Sequence, residues 1–330
     1  EYYNTAIAIL EKAKLTDSYN YITALQSLGY TYIEGARFAD AKLMLNRVLG
    51  IQSKAEGEMF SGNAEILVSI ANAEFQLNEL SLAQEHTEKA IAIATAHFGD
   101  NSNVHATAKG ILGLVAHKLG NSSKGIQLME ESVAINKKIY GVDHPRVALT
   151  YTSFSLIFQE MGRYADAETV LNKALAIQKK VYGLEHPEYA LSLMNLAMVY
   201  AMQAGYDKSV AMLKESMDIY IKNDLAGTSN FIKILANLTY IVSVQGDYAN
   251  AKKLYLRTIE ILDSRKDYTS YVRYMILNNL STTCLALNET KEAVNYSEQA
   301  IALIKQSQGV KSIEYIKSSN NLLITYKKMG

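Results

Sequence analysis

The sequence predicts an all-α fold, a solenoid of stacked antiparallel helix hairpins with a 42-residue period. Three observations carry that expectation. Proline occurs only twice in 330 residues, against an ordinary usage of about 5%, so little interrupts a helix. Apolar residues recur at helical spacing, as in Leu193, Leu196, Ala197 and Tyr200. Finally, whole series of like residues return at a fixed interval, the mark of a repeat architecture.

The series run without insertion or deletion. Stepping one period at a time from Leu28 meets Ile70, Leu112, Phe154, Leu196, Leu238, Leu280 and Leu322. The next residue along is always small: Gly29, Ala71, Gly113, Ser155, Ala197, Thr239, Ser281. A third series, Phe38, Leu80, Ser122, Tyr164, Tyr206, Tyr248, Thr290, is followed three residues later by another small one: Ala41, Ala83, Gly125, Ala167, Ser209, Ala251, Ala293. Small residues at matching points of two neighbouring stripes mark where two helices approach closely. One hairpin cannot bury both its faces, so successive hairpins must stack.

The elements follow in order. Residues 1–14 read as the second helix of a preceding unit, with Ala6 in the series of Val48 and Ala90. Hairpin 17–56 carries Leu28–Gly29 and then Phe38 and Ala41; 59–98 carries Ile70–Ala71 and then Leu80 and Ala83; 101–140 carries Leu112–Gly113 and then Ser122 and Gly125. Hairpins 143–182 and 185–224 each open on a His-Pro pair, His144-Pro145 and His186-Pro187. Their inner turns fall at "MGRY" (Met161–Tyr164) and before Tyr206. Hairpin 227–266 turns at "QGDY" (Gln245–Tyr248), and 269–308 holds Leu280–Ser281 and Ala293. Residues 311–330 form the first helix of an eighth unit, ending on Met329-Gly330 in the series of Met161-Gly162. Glycine closes most units (Gly57, Gly99, Gly141, Gly183, Gly309) but is replaced by Leu225 and Asp267. Both ends fall inside a repeat, so the native protein is expected to continue.

Composition excludes several function classes. Lys+Arg and Asp+Glu are equal at 33 each, unlike the basic balance of a nucleic-acid binder. No apolar run approaches the ~18 residues of a spanning helix, so no membrane insertion is expected of this segment. The single cysteine, Cys284, excludes an internal disulfide and a cysteine zinc cluster. A disulfide-free helical chain suits cytosol or periplasm; the cytoplasm is the expectation, with an extracytoplasmic sensor domain as the alternative. Oligomeric state is left open.

The spacing within each unit resembles the tetratricopeptide repeat: large, then Leu, then small, then Tyr, followed in the second helix by small, large and small. Leu193, Leu196, Ala197, Tyr200, Ser209, Leu213, Ser216 and Leu25, Leu28, Gly29, Tyr32, Ala41, Leu45, Val48 carry it best. The usual unit has about 34 residues; the eight more found here are about two helical turns. Residues 174–213 look like the 42-residue variety of kinesin light chains and many bacterial proteins. Tryptophan is absent, and one unit earlier Ser102-Asn103 replaces the His-Pro pair. The resemblance implies a right-handed solenoid that binds protein or peptide in a concave groove lined by the first helices.

Candidate site residues divide into punctuation and groove. His144 and His186 precede Pro at helix starts, where proline is favoured and its predecessor is extended; no metal-ligand spacing accompanies them. His86, His97, His105 and His117 occupy unrelated positions. Cys284 shares the series of Tyr32, Phe158 and Tyr200 and reads as a packed small apolar residue. No Gly-rich phosphate loop or nucleophile motif occurs, so neither catalysis nor a cofactor is expected. One series stands out: the residue before the Leu28 series becomes Asn195, Asn237, Asn279 and Asn321. Asn is a mediocre helix former, but its amide offers both a donor and an acceptor to an extended chain. By the resemblance these four line the groove, with Asn278, Asn320, Lys233, Tyr240, Met198 and Met202 as neighbours. The function expected is a non-catalytic protein-interaction module, an adaptor or scaffold. The alternative is a sensory or regulatory domain of a larger signalling protein acting on an output domain in cis.

Overall fold

A computed structural model describes residues 2–35, 37–264, 270–308 and 312–329. Asp267 and Gly309 of the glycine series, the hairpin bounds 266, 269 and 311, and the end residues Glu1 and Gly330 lie outside them. The described residues form sixteen α-helices and no strand. The first is α1 (Tyr2–Lys12), followed by the pairs α2 (Tyr19–Glu34) and α3 (Phe38–Glu56), α4 (Asn63–Gln76) and α5 (Leu80–Phe98), α6 (Asn103–Lys118) and α7 (Ser122–Tyr140), and α8 (Pro145–Glu160) and α9 (Tyr164–Tyr182). Next come α10 (Pro187–Met202) and α11 (Tyr206–Lys222), α12 (Ser229–Val244) and α13 (Tyr248–Ser264), and α14 (Ser270–Ala286) and α15 (Thr290–Gln308). The last is α16 (Ile313–Met329).

The chain gathers into two compact units, residues 1–177 and 178–330. In the first, α4 touches α6 and α6 touches α8; in the second, α10, α12, α14 and α16 touch in succession. The second helices have no comparable contact with one another among the described residues. First helices therefore line one face of each unit and second helices the other.

Both small-residue series are buried along their full length. They are the points where partner helices meet. In α6–α7 two glycines face each other: a Cβ on Gly125 would stand 2.7 Å from the Gly113 carbonyl oxygen, and one on Gly113 would stand 3.0 Å from that of Gly125. A Cβ on Gly29 would meet Leu45 Cγ at 2.8 Å. Where the position is Ser281, its hydroxyl instead bonds across the hairpin to the Ala293 carbonyl at 2.8 Å.

Helix starts follow a single repeated position. Ser18, Ser102, His144, His186, Thr228 and Ser312, separated by whole periods, each accept a backbone N–H of the following helix. Such a cap satisfies one of the four free N–H groups of a helix start. His144 and His186 do so through Nδ1, at 3.2 and 3.1 Å, with proline as the first helical residue. Their rings stack on Tyr140 and Tyr182, 4.5 and 4.3 Å between centroids. A departure at α4 has a plain cause. Phe60 holds this place before α4 and offers no acceptor, and α4 starts late, at Asn63, without a side-chain cap.

Helix ends depend on left-handed residues. Gly57, Gly99, Gly141 and Gly183, with φ of 92, 72, 89 and 86°, close second helices of 19 residues. Where Leu225 replaces glycine, α11 stops at Lys222 after 17 residues, and Asp224 takes the positive φ of 56° instead. Between the two helices of each hairpin from α4–α5 onward the left-handed residue is Asn78, Gly120, Gly162, Ala204, Gly246 or Asn288. Ala204, at φ 59°, is the alanine in that set, and this conformation costs a residue with a Cβ about 1 kcal/mol.

The histidines that carry no cap are tied to their own or a neighbouring hairpin. His86 Nδ1 lies 2.8 Å from a carboxylate oxygen of Glu74, whose side chain is buried. His97 Nε2 lies 2.7 Å from the Met59 carbonyl oxygen, and His117 contacts Ser122 Oγ and Glu160 at 2.9 and 3.2 Å. His105 is 3% exposed, with Nδ1 at 3.2 Å from Thr95 Oγ1 and no partner for Nε2. Burial, reinforced by the nearby Lys109 charge, holds its pKa below the ordinary imidazole value.

Ala204→Gly should stabilise the fold by about 0.5–1 kcal/mol in urea unfolding, because it removes left-handed strain; no gain would place the strain elsewhere. As pH falls below the free imidazole value of about 6.5, the unfolded chain takes up a proton that folded His105 resists. The stability lost by the wild type between pH 7 and 5 should therefore exceed that lost by His105→Asn; equal losses would contradict the burial effect.

Candidate interaction groove

The first-helix face of residues 1–177 holds a cleft of about 660 Å³. It runs across α2, α4, α6 and α8, with α7 at its back. Its walls mix apolar side chains, Ile111, Leu114, Leu149 and Leu156, with Asn72, Asn136 and Arg146. The volume lies within the roughly 300–1,000 Å³ of ligand clefts.

Asn136 gives the cleft a polar anchor. Its side-chain amide donates to Thr150 Oγ1 at 3.0 Å, while its carbonyl oxygen is buried and unpartnered. Asn136 is 5% exposed. A buried acceptor left unsatisfied costs about 1–3 kcal/mol, so a donor that reached it would be well rewarded. Gly110 widens the cleft floor, where an added Cβ would meet Ser132 Oγ at 3.4 Å.

Every residue expected in the groove falls in a repeat position that lines this cleft. Asn195, Asn237, Asn279 and Asn321 repeat the places of Ser69, Ile111 and Ser153; Asn278 and Asn320 repeat those of Val68 and Gly110. Met198 and Tyr240 repeat Leu114 and Leu156, Met202 repeats Gln76, and Lys233 repeats Leu149. The ten residues themselves belong to the first helices α10, α12, α14 and α16 of residues 178–330. All four Asn of the series are half-buried there, while Met202 and Tyr240 are 50% exposed.

Two of the asparagines already have internal partners. Asn321 Nδ2 donates to Asn278 Oδ1 at 3.4 Å, and the same oxygen accepts the Ser318 hydroxyl at 3.1 Å. Asn279 hydrogen-bonds the Tyr255 hydroxyl of the preceding hairpin. These contacts brace the first-helix face, so the amides there are held in place before any ligand arrives. The lining by Asn136, a second-helix residue, has only a faint sequence signal: its repeat position holds an amide at Gln52, Asn136 and Gln178, but Ala94 between them and apolar or aromatic residues afterwards. All three amides carry a buried carbonyl oxygen without a partner.

A potential metal-ligand group occurs in α14–α15. Ligand atoms of Cys284, Glu289 and Glu292 lie within 4.8 Å of one another. The position is already neutralised by Lys252, whose Nζ stands 2.6 and 2.7 Å from the two carboxylates. Their hydrogen bonds raise the Lys252 pKa, so the ammonium stays charged. Burial pushes the Cys284 thiol up to about 12, so it is neither thiolate ligand nor nucleophile near neutral pH. One Lys–Glu contact repeats five units earlier as Lys42–Glu79, which marks it as a tie between hairpins. No helix of the described residues is long and apolar enough to cross a membrane.

Comparison with known proteins agrees with this architecture. A tetratricopeptide repeat model matches residues 104–180 and 155–222, and a second matches residues 276–307. No curated protein matches the chain. Among solved structures, BtubC (BKLC) from P. vanneervenii is 17% identical and aligns over 67% of this chain and 89% of its own, with a TM-score of 0.53. A putative kinesin light chain with nearly identical TPR-like repeats from Podosopora anserina is 20% identical, over 62% and 98%, with a TM-score of 0.51. A tetratricopeptide repeat protein from Parabacteroides merdae is 14% identical, over 92% and 98%, with a TM-score of 0.53. At such identities the likeness is one of fold. The matched repeats, the shared fold and the unbroken 42-residue period make the chain an all-α solenoid of the tetratricopeptide-repeat fold, with residues 104–222 and 276–307 matching that repeat.

Proposed function

We propose that this protein is a non-catalytic interaction module that holds a peptide or protein segment on its first-helix face. One observation supports the reading above others: the Asn series occupies the same repeat position as the cleft-lining Ser69, Ile111 and Ser153. Half-buried amides at fixed spacing suit an extended backbone, since each can give and accept a hydrogen bond. The apolar walls at Leu149 and Leu156, together with the open carbonyl of Asn136, suit a segment that presents apolar side chains and a free N–H.

The test is a pull-down from source lysate with three baits: wild type, Asn195→Ala with Asn237→Ala, and Leu149→Glu with Leu156→Glu. Each lost amide contact is worth about 1 kcal/mol, so the Asn pair should weaken a partner by roughly tenfold or more. A partner held by wild type and lost from a variant is the expected result. Identical partners on all three baits would move recognition off the first-helix face.

A further inference from the structure

The second-helix side has its own recesses, and they recur. Three clefts form where two successive second helices part above the first helix between them: α3 and α5 over α4 (about 210 Å³), α7 and α9 over α8 (about 400 Å³), and α11 and α13 over α12 (about 660 Å³). Each uses the same repeat positions, two periods apart. The walls are Leu49, Val133 and Met217, the floors Leu67, Tyr151 and Leu235, and the rims Lys89, Lys173 and Arg257. In the hairpin between the first two, α6–α7, the floor position is Lys109 and the rim position Glu131. These two pair with each other there.

The cleft between α11 and α13 is the roomiest of the three and differs in two ways. Its end is lined by the linker residues Ala226 and Gly227, the latter at φ 89°, where α11 stops two residues short of the glycine-closed helices. Its charge is one-sided. The lining is aliphatic apart from Phe231 and Ser264, and its charged side chains among the described residues are Lys253 and Arg257, both exposed on α13. Ile221 on the opposite wall is 48% exposed. Among the described residues Arg257 has a surface contact at 3.8 Å, to Glu260, which holds it weakly.

We propose that this α11–α13 cleft is a second docking site, for an acidic, aliphatic segment of another protein. Its aliphatic side chains enter between Met217, Leu235 and Ile261, and its carboxylates meet Lys253 and Arg257. Apolar burial supplies the affinity, while the basic rim selects the charge of the partner. The site is separate from the first-helix face and stands or falls independently of it.

The experiment uses the 330-residue chain with ¹³C-methyl methionine, Met217 being assigned by Met217→Leu. The probes are the peptide acetyl-Glu-Glu-Leu-Ile-Glu-amide and its counterpart with Gln at all three acidic positions. The acidic peptide should shift the Met217 methyl signal saturably, leaving those of Met198 and Met202 in place. The Gln peptide, and Arg257→Glu with the acidic peptide, should each bind about tenfold weaker. A still Met217 signal, or equal titration by both peptides, would overturn the proposal. Shifts confined to Met198 and Met202 would also overturn it, and would place the peptide on the first-helix face instead.

Discussion

The structure depends on how closely two helices of a hairpin can approach. At the crossing of α6 and α7, Gly113 and Gly125 leave no room for a Cβ on either side. Elsewhere the same two positions hold Ala, Ser or Thr, or the Gly29 that meets Leu45, all buried. Close approach lets Leu28, Phe154, Leu196 and their equivalents reach the neighbouring helix, and packing density of this kind is what turns amphipathic helices into a single arrangement. A repeat protein copies this contact from unit to unit, so its stability is approximately a sum of local terms.

From that constraint the two faces follow. Once each hairpin is tight, first helices contact first helices within each unit, from α4 to α8 and from α10 to α16, and second helices are left apart. The first-helix face becomes a lined cleft, and the second-helix side carries recesses whose lining differs along the chain. Lys109 and Glu131 pair with each other at one such position; the residues around Met217 and Leu235 line a cleft at another. Recesses on this frame thus depend on which side chains occupy a few repeat positions.

Most of the frame was legible because its signals are local and repeated. The small-residue series, the cap position occupied by Ser, Thr or His, and the closing glycines can each be read without knowing any contact. From α2 onward, first helices run 14–17 residues and second helices 17–19, and the short ones have local causes: Phe60 cannot cap α4, and Leu225 cannot end α11 as glycine does. The site was half legible. The Asn series could be placed on a helix face, but the internal bonds of Asn279 and Asn321 depend on Tyr255 and Asn278, which lie far along the chain. Glu74 was invisible as a buried acid because its partner His86 sits on the other helix of the hairpin. The outer clefts return at every second period, and the alternation of Lys89, Glu131, Lys173, Glu215 and Arg257 carries that longer rhythm within the shorter one.

The most direct test of close helix approach is a pair of glycine substitutions followed by urea unfolding. In an exposed mid-helix position Gly→Ala stabilises by about 1 kcal/mol, and Gly50 in α3 has nothing within 4 Å of an added Cβ. Gly125→Ala places its methyl 2.7 Å from the Gly113 carbonyl oxygen. Close approach predicts opposite signs, with Gly50→Ala more stable and Gly125→Ala less stable than wild type by about 1–3 kcal/mol. Stabilisation by both would show that α6 and α7 have room to spare, and would contradict the packing on which the rest of the fold rests.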